Sequence, residues 1–427
     1  MTPRMVLSRR HVTTATLMLL TVLLALRVAW HLASGAGMFW DFVNFYNAGR
    51  RIYQGRFDVL YASPEPLAHE PPMPEGILTY VGFPLSAVVF APLGAFGPRL
   101  ALFAFKAACV GAFGLGVLVM LRHCRRRYGA DWDARVAGAL LLAAVLLWEP
   151  FWFSLTVGGQ ATTLAFPLLA LALALHTRGR DWPAGAALGL AVLLKPFLAP
   201  MGLVLLLGGA WTLVFSVAAT LGALGLLSLG VFGWPLHLQW VHAVLQESAR
   251  WVVPWWNNAS LSTLASNAWV RGADTAIEVT QPPAALTVLT SLIRLAAAAI
   301  VGARLFRARY ASGESRAEER LLLALIFALC FSNVVWPHYL LFCLLPWMVL
   351  AARLPGTDWA GRVLVVLLLV SVARAQFTIA RWMYTVVSLD TAWGLAVAGV
   401  LGAGTLLLLL AAVARGRFGD ASSAAAR

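Results

Sequence analysis

The sequence predicts an all-α polytopic membrane protein, and three observations lead there. Of 427 residues, 61% are hydrophobic and only 12% charged, with mean hydropathy +0.80; soluble domains are about a quarter charged. The apolar residues gather in runs near 13–33, 79–96, 99–121, 136–149, 160–176, 183–194, 197–209, 211–233, 284–305, 320–334, 338–353, 361–379 and 391–414, several of them close to the roughly 20 residues a helix needs to cross a bilayer. No run alternates with the two-residue period of a barrel strand. Lipid offers backbone groups no partner, so each crossing segment must pair its own, which selects helices. Residues 1–427 are expected to form one domain of roughly 11 to 13 membrane helices.

The first run follows the basic stretch "MTPRMVLSRRHVTT". It has the look of a signal sequence, but no small-x-small cleavage site follows a compact apolar core, so an uncleaved first span is expected. Net charge is +14, carried by arginines in short loops and at both ends. This is the positive-inside pattern of a multi-pass protein, not a nucleic-acid footprint. "RMVLSRR", "RHCRRRYGADWDAR", "HTRGRDW", "RLFRARYASGESRAEER", "RLPGTDWAGR" and "ARGRFGD" read as cytoplasmic, the last in a tail at 415–427. Segments 34–78, 150–160 and 234–283 then fall outside. Two full crossings between 79 and 121 would put "RHCRRR" outside, so either 79–96, with Pro84 and Pro92, is re-entrant or partial, or the charge rule fails there.

The segment after the first span, "GMFWDFVNFYNAGRRIYQGRFDVLY", holds Asp41 directly after Phe39 and Trp40. Phe42, Phe45, Tyr46 and Ile52 share one helical face, with Arg50, Arg51 and Arg56 elsewhere. That pattern suits an amphipathic helix in the headgroup plane. Asp41 there is either its cap or a partly desolvated base. Further on, "SLTVGGQATT" makes a polar turn at Gly158, Gly159 and Gln160. In "LAVLLKPFLAP", Lys195 interrupts an apolar run beside Pro196 and Pro200. A lysine at membrane depth costs about 2.5–3.5 kcal/mol on insertion scales, so it either snorkels to the interface or meets an anion in a polar cavity. "VPWWNNASLSTLASNAW" groups Asn257, Asn258, Ser260 and Ser262 beside Trp255 and Trp256. Amides and hydroxyls next to aromatic faces suit a sugar, and a plain outer loop suits them equally. In "FSNVVWPHYLLFCLLPW", Asn333, Trp336, His338 and Tyr339 cluster between two spans. The imidazole could donate to an anionic leaving group, or the group could be an aromatic belt.

Several classes have no support. The four cysteines show no CxxC pair, against a disulfide framework or zinc site. His69, Glu70 and Glu75, and separately His237 and His242, lack a strong ligand spacing. No Walker loop, dinucleotide fingerprint or nucleophile elbow has a credible setting. No metal and no nucleic acid are expected.

Taken in order, the motifs resemble glycosyltransferase family 87, the polyprenol-phosphate-sugar-dependent membrane transferases with the GT-C fold. The resemblance runs from Asp41 through "FYNAGRRIYQGRFDVLY" and "VGFPLSAVVFAPL" to Gly158-Gly159-Gln160, with Gly158 where the family often has Asn. It continues through "GAALGLAVLLKP", ending at Lys195 and Pro196, then "NNASL" and "SNVVWPHY". It implies an extracytoplasmic transferase moving mannose or arabinose from a lipid monophosphate to a glycolipid or glycan. Asp41 would be the general base, Lys195 and His338 would face the donor phosphate with Tyr339 beside them, and Gln160, Asn258, Ser260 and Trp336 would line the pocket. The lipid-linked sugar is a co-substrate, so no cofactor is implied. Arginine in place of lysine and abundant alanine suggest a GC-rich bacterial source, and a multi-pass chain is expected there in the cytoplasmic membrane, its active site facing outside. A transporter or flippase, which would also use broken helices and an intramembrane lysine, is the alternative, although no paired halves are evident.

Overall fold

The computed structural model describes residues 9–34, 40–62, 80–129, 134–155, 160–242, 258–269, 283–308, 313–353, 358–373, 392–416 and 418. Every regular element among them is helical, and the chain is an all-α polytopic membrane protein. The α-helices are α1 (Arg9–Ala33), α2 (Trp40–Tyr53), α3 (Pro98–Tyr128), α4 (Ala134–Leu147), α5 (Glu149–Phe153), α6 (Thr162–His176), α7 (Asp181–Leu194), α8 (Met201–Leu207), α9 (Trp211–Trp240), α10 (Thr263–Trp269), α11 (Ala284–Ala308), α12 (Gly313–Phe331), α13 (Leu344–Ala352), α14 (Trp359–Val372) and α15 (Ala392–Ala414).

Among the described residues, four helices are long and apolar enough to cross a membrane: α1, α3, α9 and α11. Several of the remaining apolar runs form shorter helices among the described residues, such as Thr162–His176, Asp181–Leu194 and Trp359–Val372. Proline supplies the physical reason. It removes a backbone donor and clashes with the preceding turn. Pro196 separates α7 from α8, and Pro337 opens a 3-10 segment, Pro337–Cys343, ahead of α13. The run near 79–96 becomes a 3-10 segment, Pro84–Ala95, with Pro92 inside, and is not a crossing α-helix.

This segment lies directly on α2, and two glycines allow it. A Cβ at Gly49 would fall 2.1 Å from the Phe90 carbonyl oxygen, and one at Gly94 would fall 2.7 Å from the Arg50 Cα. The apolar face expected of the amphipathic helix α2 packs on protein. Phe42, Val43, Tyr46, Asn47 and Ala48 are all buried, and so is Arg51. Arg51 Nη1 donates to the carbonyls of Ala62 (2.8 Å) and Leu60 (3.3 Å), so this guanidinium fastens the following turn. Tyr46 donates to the Phe96 carbonyl (2.9 Å) and Tyr61 to that of Gly82 (2.9 Å). The aromatic motif around Asp41 is thus a packing unit. Residues 63–79, and with them His69, Glu70 and Glu75, lie outside the described residues.

Helices α3, α6, α7 and α9 pack in succession, and α12 packs on α8, α11 and α6. Their basic ends gather together. At the end of α3, His123 and Tyr128 hydrogen-bond Glu318 of α12, which also pairs with Arg353 after α13 (2.8 Å). Arg126 reaches Glu314 (3.0 Å), and Arg304 of α11 pairs with Glu319. His176, ending α6, meets Asp181, opening α7 (2.7 Å). The opposite ends of α3, α6, α7 and α12 carry the residues described next. Helix α9 runs past residue 234, through a kink at Gly233 (φ 73°), so the expected outer segment 234–283 begins inside a helix. His237 there donates to the Gly233 carbonyl (2.8 Å) and accepts from Ser228 (2.9 Å).

Candidate active site

Asp41 stands in the first turn of α2, where a carboxylate complements the helix dipole. It is not simply a cap: its Oδ2 accepts a hydrogen bond from Gln160 Nε2. Gln160 is buried just ahead of α6. Its amide N–H donates to the Ser154 carbonyl (3.1 Å), and its own carbonyl accepts from Thr163 Oγ1 (3.2 Å). The backbone is held at both ends, so the side chain has a fixed origin. Gln160 Oε1 then accepts from Lys195 Nζ (3.1 Å). One carboxamide therefore joins the carboxylate to the ammonium, its nitrogen serving the anion and its oxygen the cation. Gly158 and Gly159 lie outside the described residues.

Lys195 occupies the break between α7 and the 3-10 turn Pro196–Leu198. Its backbone leaves helical geometry (φ −139°, ψ 84°), which turns the side chain out of the helix line. It is buried rather than snorkelled. Its Nζ lies 5.3 Å from the centre of the Tyr339 ring, within cation–π range. Tyr339 stacks on Phe197 (centroids 4.2 Å, planes 11° apart) and meets His338 edge-on (4.6 Å, 87°). His338 is buried, and it feels the charge of Lys195. Pro337 starts this 3-10 turn, and the Trp336 carbonyl accepts from the Tyr339 amide (2.8 Å). Trp336 itself stays partly exposed. Asp41, Gln160, Lys195, Tyr339 and His338 are thereby brought together from four separate stretches of sequence.

Asn258 and Ser260, implied by the motifs as pocket lining, tie two stretches of chain together. Both are buried. Asn258 Oδ1 accepts from the amides of Ser260 and Val335 (both 3.0 Å), and the Ala259 amide donates to the Val335 carbonyl (2.7 Å). Ser260 Oγ pairs with Ser262 Oγ (2.6 Å), and Ser262 donates to the Asn333 carbonyl (2.9 Å). These bonds staple residues 258–263 to the strip that leads into His338. Asn257, Trp255 and Trp256 lie outside the described residues.

Helix α2, which carries Asp41, lies outside the long apolar helices. The residue keeps some surface, yet loss of hydration around the carboxyl dominates and holds its pKa above the usual carboxylate range. The positive charge of Lys195 and the Gln160 hydrogen bond pull it back in part. Such an environment makes the carboxylate a stronger base.

A neighbouring polar layer was not legible in the sequence. Lys106 of α3 donates to the carbonyls of His31 (3.1 Å) and Ser34 (2.8 Å), closing the end of α1 ahead of Asp41. Arg27 pairs with Glu149 (2.9 Å) and lies 4.3 Å over the Trp152 ring. The only sequence signal was an isolated charge within an apolar run.

The family model described as glycosyltransferase family 87 matches residues 80–337, more than half of the chain. The matched span contains Gln160, Lys195, Asn258, Ser260 and Trp336; Asp41, His338 and Tyr339 fall outside it. No curated protein and no solved structure matches.

Proposed function

We propose that this membrane glycosyltransferase, a chain that belongs to glycosyltransferase family 87, moves a sugar of the mannose or arabinose class from a polyprenyl-monophosphate donor to a glycolipid or glycan. The observation that carries the reading is the Asp41–Gln160–Lys195 chain: a base and a buried cation held side by side by one amide. Transfer from a lipid phosphate needs both. The acceptor hydroxyl gives its proton to Asp41 while its oxygen attacks the anomeric carbon. The bond from that carbon to the phosphate oxygen breaks, and the polyprenyl phosphate leaves with the electron pair. Lys195 offsets the charge growing on the leaving oxygens, with Tyr339 and His338 beside it. Cations matched to such charge supply several kcal/mol, and a placed carboxylate adds about 10²- to 10⁴-fold. Direct displacement inverts the anomeric centre. Side-chain cations meet this need, so the mechanism calls on no metal.

The charge rule supports an extracytoplasmic site in a bacterial cytoplasmic membrane. The basic ends of α3 and α12 are linked to each other, and the site residues flank the opposite ends of α6, α7 and α12. If basic loops stay in the cytoplasm, the site faces outward. A 3-10 segment at 84–95 supports the re-entrant or partial alternative, under which "RHCRRR" keeps to the charge rule.

The test is Asp41→Asn in purified protein, assayed with a radiolabelled polyprenyl-monophosphate sugar and membranes from a strain lacking the gene. Transfer should fall at least about 10²-fold with donor retention unchanged. Full activity in the variant, or equal use of a diphosphate-linked donor, overturns the reading.

A further inference from the structure

Helix α9 (Trp211–Trp240) is long and apolar enough to cross a membrane, so its first residues mark one face of the bilayer. Trp211 opens it and is 55% exposed; Trp182, at the start of α7 (Asp181–Leu194), is 60% exposed. The two indoles stand at one level. A Cβ at Gly185 of α7 would meet Leu213 and Ser216 of α9, and a Cβ at Gly189 would meet Val217 and Thr220. Both sets advance by four residues, so the two helices run parallel in one register. Three residues back from Gly185 is Trp182; three back from Leu213 and Ser216 are Ala210 and Leu213, which bracket Trp211. Exposed tryptophans at the end of a crossing helix sit among lipid headgroups. Lys195 closes α7 at its other end, about 20 Å away at 1.5 Å per residue, so this level is remote from the Asp41 site.

A cation occupies the same level. Gly208 and Gly209 lead from α8 into α9, and Arg320 of α12 lies against both. A Cβ would fall 3.4 Å from its Cγ at Gly208 and 3.7 Å from its Nη2 at Gly209. The backbone at Gly209 is left-handed (φ 78°), a conformation that favours glycine, so no side chain covers the cation from this turn. Arg320 makes no hydrogen bond or ion pair with any of the described residues. Nearby arginines are neutralised, Arg304 by Glu319 and Arg353 by Glu318. The charges that Arg320 feels are those of Arg316 and Asp181. Arg316 repels it, and Asp181 is already hydrogen-bonded to His176 (2.7 Å). Arg178 and Arg180 stand exposed in the turn that leads to Asp181. Positive charge thus gathers in excess at the depth where a bilayer carries its phosphates.

From this turn the surface going into the membrane is apolar. Leu203 and Leu207 approach it on α8, and Trp211 and Phe215 leave it on α9, all four exposed. Residues four apart share a helical face, so two apolar rows descend from the place where Arg320 stands. We infer that this place is a phospholipid site: the Arg320 guanidinium takes the phosphate of an anionic lipid, and the two rows take its acyl chains. A guanidinium is always charged, and its flat fork matches two phosphate oxygens. A soluble phosphate would use the cation alone, whereas a lipid uses the cation and both rows. The inference does not rest on the transfer chemistry.

The experiment uses full-length protein in dodecyl maltoside micelles with one of two radiolabelled lipids of matched acyl chains: phosphatidylglycerol, or an uncharged glucosyl diacylglycerol. Lipid retained per protein is counted after gel filtration across a lipid titration. The wild type should retain phosphatidylglycerol in preference. Arg320→Gln should need about tenfold more phosphatidylglycerol for half-retention, as for a lost charge-assisted contact, and Arg320→Lys should recover part of that loss. Arg125→Gln is the comparison. It removes one exposed positive charge at the basic end of α3, which α6 and α7 separate from α9, and it should bind as the wild type does. Equal weakening in Arg125→Gln and Arg320→Gln shows diffuse attraction and overturns the site. So does unchanged retention in Arg320→Gln, or displacement of the lipid by millimolar inorganic phosphate, which assigns a free anion instead. Should Arg320→Gln not elute as a single species, the wild-type comparison decides alone, and equal retention of the two lipids overturns the site. No sugar turnover is read, so this result and the fate of Asp41→Asn are separable.

Discussion

Replacing Gln160 by alanine tests the arrangement at its joint. The carboxamide makes two contacts with charged groups, donating to Asp41 Oδ2 and accepting from Lys195 Nζ at 3.1 Å. A hydrogen bond to a charged group is worth about 1.5–3 kcal/mol. The two need not add, because Lys195 can swing toward Asp41 once the spacer is gone. Losing the orientation of the base alone predicts a fall in kcat/KM of about 10- to 150-fold. The variant also carries a pH signature. In the proposed mechanism Asp41 serves as a base only when ionised, so activity should be lost as pH falls through its pKa. Burial sets that pKa above the ordinary range, and the Gln160 hydrogen bond is one of two causes that lower it. Removing the bond raises the pKa, so the acid limb moves to higher pH. Gln160→Glu should move it further, since a second carboxylate beside Asp41 disfavours its ionised form. The assay is initial-rate transfer from a polyprenyl-monophosphate sugar, followed across a pH series that reaches the acid limb. An unchanged rate together with an unmoved acid limb in Gln160→Ala would refute the claim that this amide holds the base.

Lys195→Ala should raise the KM for the lipid-phosphate donor more than that for the acceptor; a change confined to the acceptor would contradict the phosphate role. Gly49→Ala places a methyl 2.1 Å from the Phe90 carbonyl oxygen, so α2 must move off Pro84–Ala95. We expect destabilisation of about 1–3 kcal/mol, read as a lower thermal midpoint in detergent, with a matching loss of transfer because α2 carries Asp41. Glu318→Ala leaves Arg353 buried without its carboxylate, a loss of about 3–5 kcal/mol for a broken buried pair; a midpoint equal to wild type would show that Arg353 finds another partner. Lys106→Met removes the donor to the His31 and Ser34 carbonyls and should lower kcat while leaving donor KM near wild type, a split that a merely unfolded fraction would not mimic.

Composition and periodicity were sufficient for the solvent and the element type. With 61% hydrophobic residues, lipid is the only medium that accommodates the chain, and lipid admits helices because each pairs its backbone internally. The ends of the apolar runs were legible too, since proline and glycine act on the backbone locally: Pro98 opens α3, Lys195-Pro196 ends α7, and Pro337 opens the turn that carries His338. Asp41, Lys195 and His338 were conspicuous for the same local reason, each an ionisable group in an apolar setting. What each one touches was not local. The sequence cast α2 as a surface helix because Arg50 and Arg51 lie in its polar pattern; the fold buries Arg51 because the backbone carbonyls of Leu60 and Ala62 await it. The hydrogen bonds by which Asn258 and Ser260 join residues 258–263 to the Asn333–Val335 strip were not legible, because a buried amide takes whichever backbone partners the neighbouring loop leaves open. Gln160 bridges Asp41 and Lys195 across gaps of 119 and 35 residues, and no spacing rule reaches that far. Residue chemistry and chain periodicity are written along the sequence; the pairing of remote charges is written only in how the helices pack.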